Sequence, residues 1–441
     1  MNRLLSILVN LCRLCVAVTL ILSGYVKAID PLGTQYKIQD YLSALSLGQY
    51  FPDWSTLGAS VLLSALEFCL GVFLLFAIHR RQVSKLVFVL MAVMTAISAW
   101  LWIANPISDC GCFGDALVLT NGQTFAKNVV LLAFSAILCR WPLRMVRFIS
   151  RTNQWIVINY TLLFVILSSA YCLYDLPLFD FRPYHVGADI RAGMEVPDSA
   201  EQPKFDTTFI LEKDGERREF TLADYPDSTW TFIDSKTVQV SEGYVPPIHD
   251  FSITRMDDGE DITDEVLDAP GYTFLLISPS LERADDGNFG KIDQLYEYCV
   301  DHGYGFYCLT ASGEHEIERW RDLTGAEYPF CFTDGTTLKT IIRSNPGLLL
   351  LHAGVVVRKW SHHNLPTVEA DQADTPIEQL EIGQMPIDTA PRKILKIMVW
   401  FVLPLAALTI ADRLWAWTQW VRRKGRKIKK MGKDKKKETI Q

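Results

Sequence analysis

The chain has 441 residues, of which 49% are hydrophobic, a mean hydropathy of +0.13 and a formal net charge of −7. This length allows two or three domains. Such an apolar composition is unusual for a soluble protein, which favours a membrane protein with a soluble part. Residues 181–390 contain 16 Lys and Arg against 39 Asp and Glu, and this acidic block argues against nucleic acid as a partner.

Six apolar stretches have the length needed to cross a hydrocarbon core about 30 Å thick. The first follows Arg3, as the apolar part of a signal peptide would, but Tyr25 to Ala28 is a poor cleavage site and we expect the segment to remain a span. The predicted spans are Leu4–Val26, Leu57–Ile78, Leu86–Ala104, Phe125–Cys139, Trp155–Leu173 and Ile394–Ala411.

Basic residues in the connections between spans predict the orientation of the chain, because such connections stay in the cytoplasm. They follow the second span, the fourth span and the sixth span, where a basic tail suited to anionic membrane lipid ends the sequence. The prediction is a multi-pass protein of the bacterial inner membrane with residues 175–391 in the oxidising periplasm and the tail in the cytoplasm. The basic residues of the first two connections are Arg80, Arg81, Lys85, Arg140, Arg144, Arg147 and Arg151.

The external block divides at Tyr244-Val245-Pro246-Pro247. Before it, three strands are predicted, with a hairpin turn at Lys213-Asp214-Gly215. After it, strands alternate with helices and end in a hairpin, the pattern of an α/β layer fold. The predicted strands are Thr207–Leu211, Arg218–Leu222, Thr229–Val240, Tyr272–Ser278, Gly305–Thr310, Tyr328–Thr333, Leu348–His352 and Val355–Trp360, with helices Lys291–His302 and Glu314–Thr324.

The predicted fold class is an α-helical membrane bundle of six spans plus a periplasmic α/β domain with a β-rich segment before it. The predicted domains are a four-helix transmembrane domain at 1–150, the fifth span at 151–180, the β-rich segment at 181–243, the α/β domain at 244–363, a linker at 364–390, and the sixth span with its tail at 391–441.

The string Asp109-Cys110-Gly111-Cys112-Phe113-Gly114 follows the third span. Two thiols one residue apart can chelate a metal, close a small disulfide or exchange electrons with other thiols, and the glycines let the backbone bend. Equally, they can be inert thiols lining a tight turn. The orientation predicted from the basic connections also places this loop outside, in the oxidising periplasm, which favours redox chemistry. Cys110 and Cys112 are therefore the candidate catalytic pair.

The other cysteines are interpreted as packed thiols. Cys12 and Cys15 form a C-x-x-C inside a span, where little water supports a thiolate. The remaining cysteines lie in or near spans, or on the helix and strands of the α/β domain, where thiols pack readily. The adjacent His362 and His363 lack companion ligands, so no metal site is predicted. No cofactor is evident, and nothing in the sequence supports a quinone site.

Two charges inside spans suggest a buried ion pair. Nine residues from the start of the first span place Arg13 about 14 Å deep, and ten residues into the second place Glu67 about 15 Å deep. Because a lone charge near the middle of a membrane is costly, we predict that Arg13 and Glu67 pair with each other.

The membrane part resembles the DoxX family, and especially its MauE-like branch, over about a third of the chain. The resemblance rests on Ser23-Gly24, Lys27 and Asp30-Pro31 after span one, on Glu67, and on Cys110-Gly111-Cys112-Phe113-Gly114. It implies periplasmic thiol and disulfide chemistry, including the maturation of a disulfide-rich protein such as methylamine dehydrogenase.

Residues 244–363 resemble thioredoxin-like domains of the peroxiredoxin and TlpA type. Pro247 to Ser252 matches their lead-in, and the resemblance implies that Pro346 is the cis-proline before the last hairpin. Where such domains carry a catalytic cysteine, this chain has Ser278-Pro279-Ser280-Leu281. Exchange starts from a thiolate, so this domain is predicted to bind a partner without catalysing.

The sequence thus predicts periplasmic thiol-disulfide or electron transfer, with Cys110 and Cys112 as the exchanging pair and a periplasmic client or redox partner. An alternative is a non-catalytic envelope assembly factor whose acidic domain binds a partner. Whether the protein is an enzyme stays open at this stage.

Overall fold

A computed structural model of the chain describes residues 2–107, 110–197, 200, 204–213, 216–221, 224, 230–241, 243–386 and 390–438. The chain divides into two compact units. The membrane unit comprises Met1–Arg182, Trp360–Leu365 and Pro386–Gln441, and the α/β unit comprises Pro183–Lys359 and Pro366–Met385.

Within the described residues, six helices are long and apolar enough to cross a membrane, and the six predicted spans are confirmed. Five of them come before the α/β unit, together with one additional helix, α2, which lies between the first and second spans. The helices are α1 (Asn2–Ile29), α2 (Pro31–Ala44), α3 (Asp53–Leu75), α4 (Arg80–Ala104), α5 (Asn121–Arg140) and α6 (Gln154–Tyr174).

Helix α2 begins where the sequence offers an N-terminal cap. The carboxylate of Asp30 accepts a hydrogen bond from the backbone N–H of Gly33 at 2.9 Å, and Pro31 occupies the first turn, where its missing N–H costs nothing. Gln35 is buried and donates to the backbone oxygen of Asp53 at 2.9 Å. These contacts hold α2 against the start of α3.

Helices α1 and α3 are antiparallel and approach each other closely at two glycines. A Cβ atom at Gly24 would lie 2.8 Å from Cα of Phe68, and one at Gly71 would lie 2.8 Å from the backbone nitrogen of Ile21. The absence of side chains at Gly24 and Gly71 therefore sets the register of the two helices.

Replacing Gly24 with alanine is expected to lower the folded yield of the protein, because the added methyl must push two backbones apart. Overpacking of this kind costs roughly 1–3 kcal/mol. The matched control is Gly58→Ala in α3, where a Cβ would meet nothing within 4 Å. Fluorescence-detected size-exclusion chromatography of both variants measures the effect, and equal yields would show that the close approach at Gly24 is unimportant.

The α/β unit begins with α7 (Ile190–Met194) and a three-stranded antiparallel sheet in the order β2-β1-β3. The three strands predicted before the proline pair are present, as β1 (Lys204–Lys213), β2 (Glu216–Thr221) and β3 (Thr231–Ser241). Asp214 and Gly215 of the predicted hairpin turn lie outside the described residues.

The second sheet of the α/β unit has six strands in the order β4-β7-β6-β5-β8-β9. Strands β5, β6 and β7 are parallel, whereas β8 is antiparallel to β5, as in a thioredoxin-like fold. The elements are β4 (Thr254–Arg255), α8 (Thr263–Leu267), β5 (Tyr272–Ser278), α9 (Phe289–His302), β6 (Gly305–Thr310), α10 (Glu314–Thr324), β7 (Phe330–Phe332), α11 (Gly335–Ile341), β8 (Gly347–His352) and β9 (Val355–Ser361).

The segment predicted as a linker folds onto the α/β unit over residues 366–385. The side chain of Ile377 is fully buried, the hydroxyl of Tyr298 donates to the backbone oxygen of Thr375 at 2.6 Å, and the backbone N–H of Ile377 donates to the hydroxyl of Tyr304 at 3.1 Å. The linker prediction is therefore wrong for this stretch, because a few apolar residues and tyrosine hydroxyls suffice to hold it.

The sixth span is formed by α12 (Ala390–Ile397), a π-helical turn (Met398–Val402) and α13 (Leu403–Glu438). Pro404 lacks an N–H, so the backbone oxygen of Trp400 cannot receive the usual helical hydrogen bond. The hydroxyl of Tyr160 on α6 donates to that oxygen instead. On the next turns, the carboxylate of Asp412 accepts hydrogen bonds from the backbone N–H of Ser150 at 2.8 Å and from Nδ2 of Asn153 at 2.6 Å. Polar contacts thus fix the last span to the bundle at two levels.

Candidate functional site

The cysteine motif lies in the connection between α4 and α5. Helix α5 begins with a capping box in which Thr120 and Gln123 exchange hydrogen bonds. Nδ2 of Asn121 donates to Oδ1 of Asn105 at 2.9 Å and to the backbone oxygen of Ile107 at 2.8 Å, which joins the end of α4 to the start of α5. Asp109 of the predicted string lies outside the described residues.

Cys110 is held on both its main chain and its side chain. The hydroxyl of Tyr41 on α2 donates to its backbone oxygen, and its Sγ lies 3.5 Å from Oγ1 of Thr124 on α5. Gly111 has a φ of +60°, and a Cβ there would lie 3.0 Å from the side chain of Lys37. Glycine is therefore required between the two cysteines both for the backbone turn and for the space beside α2.

The two thiols of the motif act on each other. Both are free, and Cys110 is buried whereas Cys112 is half-buried. The thiol of Cys112 donates a hydrogen bond to the sulfur of Cys110, and this lowers the pKa of Cys110 to about 6 against an ordinary 9.0, although burial works in the opposite direction. Thr124, the backbone of Cys112 and Lys127 lower it further. The same shared proton raises the pKa of Cys112. At neutral pH the pair therefore carries one thiolate.

A buried charge cluster lies directly behind the motif. Nζ of Lys27 lies 2.8 and 2.7 Å from the two carboxylate oxygens of Glu67 and 3.0 Å from the hydroxyl of Ser23. The Ser23 hydroxyl lies 2.7 Å from Oε2 of Glu67 and 2.8 Å from the backbone oxygen of Cys112. Lys27, Glu67 and Ser23 are 5, 2 and 8% exposed, so the cluster is closed to solvent and reaches the cysteine loop through one hydroxyl.

The predicted ion pair between Arg13 and Glu67 is wrong, because Lys27 binds Glu67. Gly24 lies opposite Phe68, so the antiparallel register places Arg13 more than two turns away from Glu67, near the end of α3. There, Nη1 of Arg13 donates to the backbone oxygen of Val146, and the guanidinium lies 4.9 Å from the centre of the Phe148 ring. Lys27 is thus a site residue whose pairing the sequence reasoning missed, although it had singled out Lys27 and Glu67 separately.

A small cavity of about 30 Å³ connects the charge cluster with the cysteine loop. A space of this size has room for a water molecule. Lys127 reaches it from α5 and lies 4.3 Å above the ring of Phe113, one residue after Cys112. Its wall is formed by polar and apolar side chains of α1, α3, α4, α5 and the cysteine loop: Thr19, Leu20, Ser23, Lys27, Glu67, Leu90, Met91, Met94, Cys112, Lys127, Asn128 and Leu131.

The thioredoxin-like unit has no thiol at the corresponding turn. The hydroxyl of Ser278 donates to Oδ1 of Asn345 at 2.7 Å, and Nδ2 of Asn345 donates to the backbone oxygen of Ser280 at 2.8 Å. The peptide bond between Asn345 and Pro346 is cis, as the sequence resemblance implied. Hydroxyl and amide groups therefore occupy the place where exchange chemistry would need a thiolate.

The three cysteines of the α/β unit are fully buried inside its core. Burial raises the pKa of Cys331 to about 11, and it raises the pKa of Cys299 and of Cys308 further still. All three stay protonated at neutral pH, which agrees with their interpretation as packed thiols. Among the described residues, no group of three or more Cys, His, Asp and Glu is placed to hold a metal ion.

Fold and site together define a six-span membrane protein with two neighbouring thiols beside a buried ion pair, and with an α/β unit that has no cysteine at residues 278–281. Residues 5–141 match the family described as Methylamine utilisation protein MauE, which confirms that part of the predicted resemblance. Residues 205–242, which contain the three-stranded sheet, match a domain of unknown function, DUF8463.

A search of curated proteins gives no match. A solution structure of a candidate protein disulfide isomerase from Bacteroides thetaiotaomicron is similar at 17% identity and a TM-score of 0.22, over 26% of this chain and 76% of that chain. A likeness of this size carries no conclusion about activity.

Proposed function

We propose that this protein performs thiol-disulfide exchange with a periplasmic client, using Cys110 and Cys112. The proposal rests on the two neighbouring free thiols of the motif, since a hydrogen bond from Cys112 lowers the pKa of Cys110 to about 6. A thiolate at neutral pH is the species that attacks a disulfide. The match of the surrounding bundle to the family described as Methylamine utilisation protein MauE supports the proposal. The sequence resemblance to this family implies a role in the maturation of a disulfide-rich protein.

The exchange balances without a cofactor. The thiolate of the pair attacks one sulfur of a client disulfide, forms a mixed disulfide and releases the other client sulfur as a thiolate. This thiolate takes the proton of the second cysteine, which then attacks the sulfur of the first, so that the client leaves as one thiol and one thiolate and the pair closes as a disulfide. Two electrons pass from the pair to the client, and the reverse sequence oxidises a client dithiol.

The remaining parts of the molecule have supporting roles in this proposal. Lys27 and Glu67 form a buried ion pair next to the cysteine loop. The hydroxyl of Ser23 connects this pair to the loop through the backbone oxygen of Cys112. The thioredoxin-like unit recognises the client without reacting with it, because Ser278 and Asn345 replace the thiol site. A cytoplasmic location of the basic connections, as the sequence predicts, supports a periplasmic location of the cysteine loop and the α/β unit in this proposal.

A trapping experiment tests the proposal. In cells expressing Cys110→Ser or Cys112→Ser, the remaining cysteine can attack but cannot resolve, so we expect disulfide-linked adducts to client proteins on non-reducing gels and loss of function. The double serine variant is the control and should give no adduct. Full complementation of a deletion by the double variant would rule out exchange at this pair.

The second candidate function is the non-catalytic assembly factor. The absence of a thiol at Ser278-Pro279-Ser280-Leu281 favours it, because the unit built like an exchange domain is unable to exchange. In that case the double serine variant should retain function, while changes on the α/β unit should abolish it.

A further inference from the structure

At the end of the bundle away from the cysteines, a pocket of about 620 Å³ is surrounded by basic residues. Helix α4 separates the two ends by about 37 Å, at 1.5 Å per residue. No Asp or Glu is among the described residues that line the pocket, which are His79, Arg80, Arg81, Gln82, Leu143, Arg147, Arg151 and Gln154.

The arginines of this pocket are held together despite their mutual repulsion. Arg147 and Arg151 both act electrostatically on Arg80. Nη1 of Arg80 donates to the backbone oxygens of Leu143 at 2.9 Å and Met145 at 2.6 Å, which fixes the guanidinium at the rim. The Nε atoms of Arg80 and Arg147 are buried and have no hydrogen-bond partner in the described structure. The concentrated positive charge in one pocket favours an anion.

Two helix N-termini add to the same preference. Helix α4 starts at Arg80 and α6 at Gln154, and the backbone N–H of His79 donates to Oε1 of Gln154 at 3.5 Å. The first turn of a helix presents unpaired N–H groups and the positive end of its dipole, and both attract phosphate groups. The pocket therefore combines guanidinium forks with main-chain donors.

The surroundings of the pocket favour an anion that is attached to acyl chains. A second pocket of about 420 Å³ adjoins it, shares Arg81 and Leu143, and adds Lys85, Arg140, Arg144 and the apolar surface of Trp141. The side chains of Leu143, Val146 and Leu86 are more than half exposed at this end of the bundle, as lipid-facing side chains are. Basic pockets between membrane helices are suited to phospholipid head groups.

We propose that the pocket formed by Arg80, Arg81, Arg147 and Arg151 binds the phosphodiester head group of an anionic phospholipid. The binding site is independent of the cysteine chemistry. Bound lipid neutralises the repelling arginines and joins the start of α4, the α5–α6 connection and the start of α6.

The test uses the full-length protein purified in detergent, with short-chain phosphatidylglycerol as the probe and phosphatidylcholine of equal chain length as the neutral comparison. Native mass spectrometry and the rise in Tm give the two affinities. We expect clear preference for phosphatidylglycerol, and a loss of about 25-fold in Arg147→Gln/Arg151→Gln, since each arginine near a lipid surface contributes about fivefold. The charge-matched control is Arg283→Gln/Arg319→Gln on the α/β unit, which should bind as the wild type does.

Equal affinity for the two lipids in the wild type, or unchanged phosphatidylglycerol binding in Arg147→Gln/Arg151→Gln, would overturn the proposal. Inorganic phosphate binding as tightly as phosphatidylglycerol would overturn the lipid assignment and show a site for a soluble phosphate compound. If the glutamine variant does not fold, raising KCl from about 50 to 500 mM with the wild type replaces it, because a site of this kind must weaken as salt screens its charges. Binding insensitive to salt contradicts the proposal.

Discussion

At pH 6, Cys110 of the wild type should be alkylated roughly twentyfold faster than Cys110 in the Cys112→Ala variant. A pKa of about 6 leaves half of Cys110 ionised at that pH. In the variant, burial raises the pKa of Cys110 while the remaining donors and Lys127 lower it, so the ordinary pKa of 9.0 is expected, which leaves about a thousandth ionised. The ionised fraction is therefore about 500 times larger in the wild type. Its thiolate is also less basic and so about twentyfold less nucleophilic, at a Brønsted coefficient of about 0.45, which leaves a rate advantage of roughly twentyfold. The alkylation rate of the wild type should rise with pH through about pH 6 and level off above about pH 7.

Peptide-level mass spectrometry after timed iodoacetamide labelling measures the rate at Cys110 separately from the other cysteines. Cys112→Ser retains a hydroxyl donor and should fall between wild type and Cys112→Ala. Thr124→Val should shift the profile to higher pH, because Thr124 also lowers the pKa of Cys110. Thr409→Val is the control, since the hydroxyl of Thr409 bonds only within the last span, to the backbone oxygen of Leu405. A wild-type profile centred near pH 9 contradicts the shared proton.

Removing one member of the Lys27–Glu67 pair should damage the bundle more than removing both. Lys27→Met leaves a buried carboxylate, and Glu67→Leu leaves a buried ammonium; breaking a buried pair in this way costs roughly 3–5 kcal/mol. The double variant Lys27→Met/Glu67→Leu leaves neither charge and should recover most of the folded yield and the Tm.

The control for this double-variant cycle is Arg13→Met combined with Glu67→Leu. Since Arg13 bonds to the backbone oxygen of Val146, its substitution should add to the loss from Glu67→Leu without rescuing it. Losses that add fully in Lys27→Met/Glu67→Leu, measured by folded yield and thermal denaturation, would show that the two charges do not interact.

Local sequence patterns determine where several helices and strands begin and end. Strand β5 and helix α10 begin and end at the predicted residues, because apolar runs and glycines after helices mark boundaries along the chain itself. The six spans follow from hydropathy in the same way. The cysteine pair was predicted because two thiols one residue apart, next to glycines that let the backbone bend, can exchange electrons or chelate a metal.

Relations between segments were harder to predict. The depth of a charge within its own span suggested Arg13 as partner of Glu67, but the contact at Gly24 displaces the helices by more than two turns from that alignment. A helix was not expected over residues 31–44, although Asp30-Pro31 is a start signal, because that segment has no strong apolar period. Residues 366–385 carry too few apolar side chains to predict that they pack.

The hydroxyl of Ser23 has one proton and two acceptors within reach, Oε2 of Glu67 and the backbone oxygen of Cys112. A change that draws the proton toward one acceptor withdraws it from the other, so the buried charges and the cysteine loop compete for it. This coupling is reciprocal: the free energy by which the charge pair stabilises the position of the loop equals the free energy by which the loop stabilises the charge pair. A partner that moves the main chain at Cys112 would therefore also change the hydrogen bonding of the buried Lys27–Glu67 pair.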